Sequence, residues 1–289
     1  MSIIKAQRHL FDIPKEIAYF NCAYNGPLLN QSVQELNRGV KSKSQPWNIK
    51  AADFFDDTEK VRILSSEIFG GNSNNYSIIP AASYGISTAA RIIEPFLKKD
   101  QQILLMEDEF PSVVLPLIKS SEMTGAKIVT VKTPENGNWT EAILSQITNQ
   151  IKVVAISSCH WTNGAFIDLV KIRNECNKAG SILIIDGTQS LGAVPFSMDI
   201  VKPDFFVAAG YKWLLSPYGF SLFYVDKKWH DYRPLEETWL ARENSENFAE
   251  LASYSGIYKK GARRFDVGET CKPTILPGAI SALEQISKW

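Results

Sequence analysis

Two side chains in this sequence, Asp186 and Lys212, have the types and surroundings to do chemistry together. Asp186 closes an apolar run and opens Asp186-Gly187-Thr188-Gln189-Ser190. A carboxylate at the carboxyl end of a buried strand sits where open α/β sheets place ligands. It is costly there unless something cationic meets it. Taken alone, it could equally be a cap opening the next helix. Lys212 stands in Gly210-Tyr211-Lys212-Trp213-Leu214, between two apolar runs. Desolvation lowers the pKa of a lysine and frees its lone pair to attack a carbonyl. A lone lysine more commonly snorkels to the surface. The pair says more than either member. A lysine that can form a Schiff base and an aspartate that keeps a ring nitrogen protonated are what a pyridine aldehyde cofactor, pyridoxal phosphate (PLP), requires.

The elements that must position this pair are legible as apolar, β-branched runs at 103–106, 127–131, 152–156, 181–185, 204–208 and 220–225. Such continuous runs mark strands buried on both faces. Between them lie helical patterns. Residues 168–179 carry Leu169, Ile172 and Cys176 on one stripe before Gly180, and 83–97 is apolar along most of its length. Strands alternating with helices predict an α/β domain with a mainly parallel sheet. The first 55 residues differ: Asn25-Gly26-Pro27 reads as a turn and Ser44-Gln45-Pro46-Trp47 as a helix breaker. The expected organisation is a wrapping segment over 1–55, a cofactor domain over 56–235, and the start of a C-terminal region over 236–289.

The chain has 289 residues, enough for one large domain or two smaller ones, and its 31 basic and 31 acidic side chains balance. That balance gives no reason to expect nucleic acid or an anionic membrane as partner. Cys22, Cys159, Cys176 and Cys271 form no C-x-x-C pair, so neither a disulfide framework nor a zinc cluster is expected. The start Met1-Ser2-Ile3-Ile4-Lys5 lacks the apolar run of a signal peptide, and no stretch is long and uncharged enough to span a bilayer, so the expected location is cytoplasmic. No G-x-G-x-x-G follows an early strand, which removes a dinucleotide-binding reading.

With Asp186-Gly187-Thr188-Gln189-Ser190 and Gly210-Tyr211-Lys212-Trp213 in that order and spacing, the chain resembles the aminotransferase class V family of fold-type I PLP enzymes from about Tyr19 onward. That family includes cysteine desulfurases, kynureninases and isopenicillin-N-epimerase-like proteins. The resemblance implies an α/β fold with a mainly parallel seven-stranded sheet flanked by helices, PLP as cofactor, an amino acid or amine as substrate, and a homodimer. It also implies further roles. Ala82 and Ser83, in Ala81-Ala82-Ser83-Tyr84-Gly85, match the turn whose backbone N–H groups receive the cofactor phosphate, although the family usually has hydroxyl residues here. The alternative is an ordinary helix start capped by Ser83. Phe110 aligns with the aromatic that stacks on the ring, Gln189 with the contact to the phenolic oxygen, and Tyr211 with a phenol that reaches the phosphate in kynureninases. Trp161, in His160-Trp161-Thr162-Asn163-Gly164, falls where desulfurases place an asparagine near the cofactor. His160 itself is expected to be structural. Gly261-Ala262-Arg263-Arg264-Phe265-Asp266-Val267-Gly268-Glu269 resembles the family's segment near the dimer interface, with Arg263 read as a solvated charge.

Family members continue beyond 280–284 into a small C-terminal domain that carries the arginine for the substrate carboxylate, whereas this sequence stops at Trp289. The small domain is therefore expected to be missing or truncated. Cys271, the one late cysteine, lacks the context of a desulfurase nucleophile. The expected activity is transamination through a Lys212 Schiff base. Epimerisation or kynureninase-type cleavage is the alternative, and a non-catalytic relic of the fold is a rival of another class.

Overall fold

The computed structural model describes residues 4–270 and 272–289. Residues 1–3 and the expectations attached to Cys271 lie outside them. Seven strands form one sheet in the order β1-β7-β6-β5-β4-β2-β3. They are β1 (Tyr76–Ile79), β2 (Gln102–Met106), β3 (Lys127–Val131), β4 (Ile151–Ser157), β5 (Ile182–Asp186), β6 (Phe205–Ala209) and β7 (Ser221–Val225). Each apolar run read as a strand is one. β1 escaped the reading because four residues carry no period of their own. Pairing is parallel from β3 through β6, and β7 lies antiparallel between β6 and β1, so it alone runs against the rest. The carboxyl ends of β1, β2, β4, β5 and β6 consequently share one edge of the sheet.

Eight α-helices accompany the strands among the described residues: α1 (Asn30–Lys43), α2 (Asp56–Phe69), α3 (Ala82–Ile93), α4 (Pro111–Thr124), α5 (Trp139–Leu144), α6 (Leu169–Ala179), α7 (Met198–Val201) and α8 (Leu276–Ile286). Strand side chains alternate between two cores. Ile103, Leu105, Ile184, Phe205 and Val207 face α3 and α4. Leu104, Val154, Leu183, Ile185 and Phe206 join the core that contains α2, α5, α6 and α8. Asp186 follows Ile182 and Ile184 at two-residue steps, so it belongs to the α3 face. Helix α6 starts and stops as its sequence requires. Asp168 accepts a hydrogen bond from the Lys171 N–H at 3.0 Å, and Gly180 ends the helix in the left-handed region at φ 71°.

The free edge of β1 is covered by the segment that follows the 3-10 turn Gly261–Phe265. Asp266 accepts from the Ile78 N–H at 2.8 Å and from Ser77 Oγ at 3.0 Å, and the Val267 N–H donates to Ile78 O at 3.1 Å. An edge satisfied in this way offers no row of open donors to another chain. Arg62 of α2, fully buried, pairs with Asp266 and also donates to Tyr76 O. Arg263 is no solvated charge: it holds Glu59 through Nε at 2.8 Å and Nη2 at 2.5 Å.

Replacing Asp266 by Ala leaves the Arg62 guanidinium buried without this carboxylate and frees the Ile78 N–H. The expected loss is about 3–5 kcal/mol of unfolding free energy, read by urea denaturation. The pair Arg62→Met with Asp266→Asn should cost less, because an amide oxygen still accepts from Ile78.

Candidate active site

Lys212 sits in the connection from β6 to β7 and is 8% exposed. Its Nζ lies 5.7 Å from the centre of the Phe110 ring and 5.8 Å from that of Tyr211. Burial lowers its pKa from the ordinary lysine value, and Asp186 opposes that shift. Its backbone is fixed from the amino-terminal side. The Gly26 N–H donates to Tyr211 O at 2.8 Å, and a Cβ on Gly26 would lie 2.0 Å from Lys212 O. The turn expected over 25–27 falls instead at 22–24, where the Tyr24 N–H bonds to Asn21 O. Gly26 is there for close approach rather than for a turn.

Asp186 ends β5 and is buried. Its Oδ1 accepts from the Thr188 N–H at 2.8 Å, and the next helix, α7, begins only at Met198, so its role is not that of a cap. Gly187 cannot carry a side chain, since a Cβ would lie 2.0 Å from the Phe206 ring. The Asp186 carboxyl is pushed up to about 6, chiefly by burial and further by the charge of Glu109, against the Thr188 hydrogen bond and Lys212. Asp186 and Lys212 do not close into an ion pair. They line one cavity of about 160 Å³ together with Ala82, Ser83, Phe110, Trp161, Gln189 and Tyr211. All eight residues selected from the sequence meet there.

The start of α3 forms another wall of the cavity. Its N-cap is Ala81, in extended conformation and with no side-chain cap, while Ser83 lies inside the helix and caps nothing. The first N–H groups of a helix have no partner within it, so this end is open to an anion. Phe110 meets Trp161 edge-on at 5.5 Å, and Trp161 Nε1 donates to Asp108 O at 2.6 Å. Tyr211 stacks on Tyr218 at 4.2 Å, and burial, Tyr218 and Asp186 all push its phenol above the ordinary range, which keeps it a neutral donor. Gln189 is partly committed: Nε2 donates to Ala23 O at 3.0 Å and Oε1 accepts from Trp213 at 3.1 Å. One Nε2 hydrogen is left for an occupant of the cavity.

His160 is buried, bonds through Nε2 to Glu107 O at 3.0 Å and stacks on Trp139 at 4.9 Å, a structural setting. Four contributors escaped the sequence reading. Ser157 and Thr188 line the cavity beside Asp186, Tyr218 backs Tyr211, and Glu109 bonds to Ser157. Of these, Thr188 alone stands inside the motif Asp186-Gly187-Thr188-Gln189-Ser190, and even there nothing local marks its role.

A cationic amine and a carboxylate facing each other across a cavity, with an aromatic face and an uncapped helix start between them, fit the donor set of PLP. The sheet order is that of the fold-type I PLP-dependent class. The sequence pattern of the aminotransferase class-V family matches residues 39–238, more than half of the chain, and the protein belongs to that family. Among curated relatives, the uncharacterized aminotransferase YcbU of Bacillus subtilis is 23% identical over 241 residues, covering 83% of this chain and 60% of its own length. A probable cysteine desulfurase of Mycoplasma genitalium is 22% identical over 213 residues, covering 73% of this chain and 51% of its own. The chain thus spans about half to three-fifths of the length of these relatives. Among solved structures, a mutant of C-DES with glycine covalently linked to its PLP cofactor superposes with a TM-score of 0.86 at 18% identity, covering 97% of this chain and 74% of that one.

Asp186→Asn tests the electrostatics. A carboxyl whose pKa is raised on folding binds its proton more tightly in the native state, so stability falls as pH rises from about 4 to about 6. The variant removes that loss. Cofactor-free Asp186→Asn should be about 3 kcal/mol more stable than the parent at pH 8 and nearly equal to it at pH 4, by urea denaturation.

Proposed function

We propose that this chain is the cofactor-binding part of a PLP-dependent enzyme acting on an amino acid or amine, with transamination as its reaction. The convergence of Lys212, Asp186 and the uncapped start of α3 on one cavity carries this reading. Bound PLP supplies an electron-accepting ring that stabilises charge at the α-carbon of a substrate. Lys212 would hold the aldehyde through Nζ and, as a free amine, would move the proton from that carbon to the former aldehyde carbon of the cofactor, the transfer that transamination requires. Asp186 accepts the hydrogen bond of the protonated ring nitrogen. The N–H groups of Ala82 and Ser83 and the phenol of Tyr211 receive the phosphate. Phe110 covers one ring face, Trp161 braces Phe110 at the mouth of the cavity, and Gln189 offers its remaining N–H to the phenolic oxygen.

Kynureninase-type cleavage is the second reading, favoured by Phe110 at the stacking position and Tyr211 directly before Lys212. A desulfurase needs a reactive thiol. Burial pushes the Cys22, Cys159 and Cys176 thiols up, Cys176 to about 12, which suits packing better than attack. A homodimer in the cytoplasm, a division at about 55 and 235 into wrapping segment, cofactor domain and C-terminal region, and a substrate without nucleic acid or membrane involvement complete the proposal. Among the described residues no helix is long and apolar enough to cross a membrane.

Purified protein mixed with PLP should develop the visible absorbance of a protein-bound pyridoxal, and borohydride should then fix the label on the peptide that contains Lys212. Lys212→Ala should lose both. A screen of amino donors should convert the bound pyridoxal to pyridoxamine. Visible absorbance without conversion by any donor turns the assignment toward cleavage, and no absorbance at any PLP concentration rejects it.

A further inference from the structure

Glu109 is a buried carboxylate to which neither the motif nor the chemistry above gives a task. It is 6% exposed, three residues beyond the end of β2. Its Oε2 accepts from the Ser157 N–H at 2.8 Å, and its Oε1 accepts from Ser157 Oγ at 2.6 Å and from the Phe110 N–H at 2.7 Å. Its hydrogen-bonding capacity is well used, yet no lysine, arginine or histidine forms an ion pair with it among the described residues. Ser157 lies directly beside Asp186 in the β4–β5 register. Two buried carboxylates therefore stand on either side of Ser157 at the end of β4, Asp186 lining the cavity and Glu109 behind it, and among the described residues Lys212 is the one cation in the lining. Burying an anion without a counter-charge is expensive. The site as built is short of positive charge, which suits an occupant that brings a protonated ring nitrogen and an ammonium group.

The same three hydrogen bonds have a mechanical effect. The loop from β2 to α4 contains Asp108 in the left-handed region at φ 53°, and it carries the ring of Phe110 at its end. Trp161 and His160 hold the carbonyls of Asp108 and Glu107. Glu109 is the side chain that ties this loop to the strand next to Asp186.

We propose that Glu109 is a positioning residue of this site, locking the Phe110 loop onto β4 and, through its charge beside Asp186, favouring a protonated pyridine ring. The proposal rests on the PLP reading above. The groups facing Asp186 are Glu109 from the β2–α4 loop, Lys212 and Tyr211 from the β6–β7 connection, and the Thr188 N–H of its own turn. Helix α3 contributes its uncapped start, and the charges that bear on its Tyr84 are those of Glu236 and Asp266. Among the described residues Glu109 is thus the acidic group whose charge bears on Asp186.

Two variants separate the roles. Glu109→Gln removes the charge and keeps one acceptor oxygen, turning its NH2 toward either the Ser157 or the Phe110 N–H; Glu109→Ala removes the charge and every acceptor. Carboxyl carbon NMR of cofactor-free protein, with the Asp186 signal assigned from Asp186→Asn, follows the titration directly. In Glu109→Gln the Asp186 midpoint should fall by about half a pH unit or more. The low-pH limb of PLP binding should move down with it, because Asp186 must be ionised to accept the ring N–H. Glu109→Ala should weaken PLP binding about ten-fold at pH 8 and lower the visible circular dichroism of the bound pyridoxal, since Phe110 is no longer held. An Asp186 midpoint that stays put in Glu109→Gln overturns the proposal, and should Glu109→Ala fail to fold, that titration decides alone. A parent protein that gives no visible absorbance with PLP sinks the functional reading instead, a result distinct from an unmoved carboxyl.

Discussion

The site depends on keeping an amine and a carboxylate out of water, close enough to feel one another and too far apart to pair. Asp186 and Lys212 are both buried, both shifted by desolvation toward their neutral forms, and each draws the other back toward its charged form. Closing into an ion pair would recover much of that cost. The fold prevents it by placing one group on the end of β5 and the other beyond β6, in a connection pinned on both sides. What stays open is a cavity with a field across it, the preorganised setting in which a polar occupant gains most.

Holding that separation needs rigid supports, and they come from parts of the chain far apart in sequence. Parallel strands bring the carboxyl ends of β1, β4, β5 and β6 to one edge, so their connections converge. The helix start that follows β1 is held in place because Gly85 lets α3 approach within contact of Val207 and Ile79. β1 in turn is held by Asp266 and Arg62. Loss of that edge would move the helix start that faces Lys212.

Much of this was legible in sequence, and the gaps have physical causes. Strands buried on both faces read as continuous apolar runs, and Asp168 and Gly180 mark the ends of α6 by local chemistry alone. The eight chosen site residues converge because motif order encodes strand order. Ser83 could not be distinguished from a cap, since only backbone geometry shows that Ala81 holds the N-cap position. Glu109 and Ser157 are separated by 48 residues, and their contact exists only because β2 and β4 are neighbours, which no local pattern announces. The reversal of β7 likewise follows from its short return from β6, not from its composition.

The contact of Gly26 with Tyr211 and Lys212 has a consequence for how the molecule matures. It joins positions separated by most of the chain, so its loop closes at high entropic cost and after more local structure has formed. During synthesis Gly26 must wait for a lysine made nearly two hundred residues later. The backbone that carries Lys212 is therefore locked by a segment made long before it, and the pocket is completed at the end of folding rather than at its beginning.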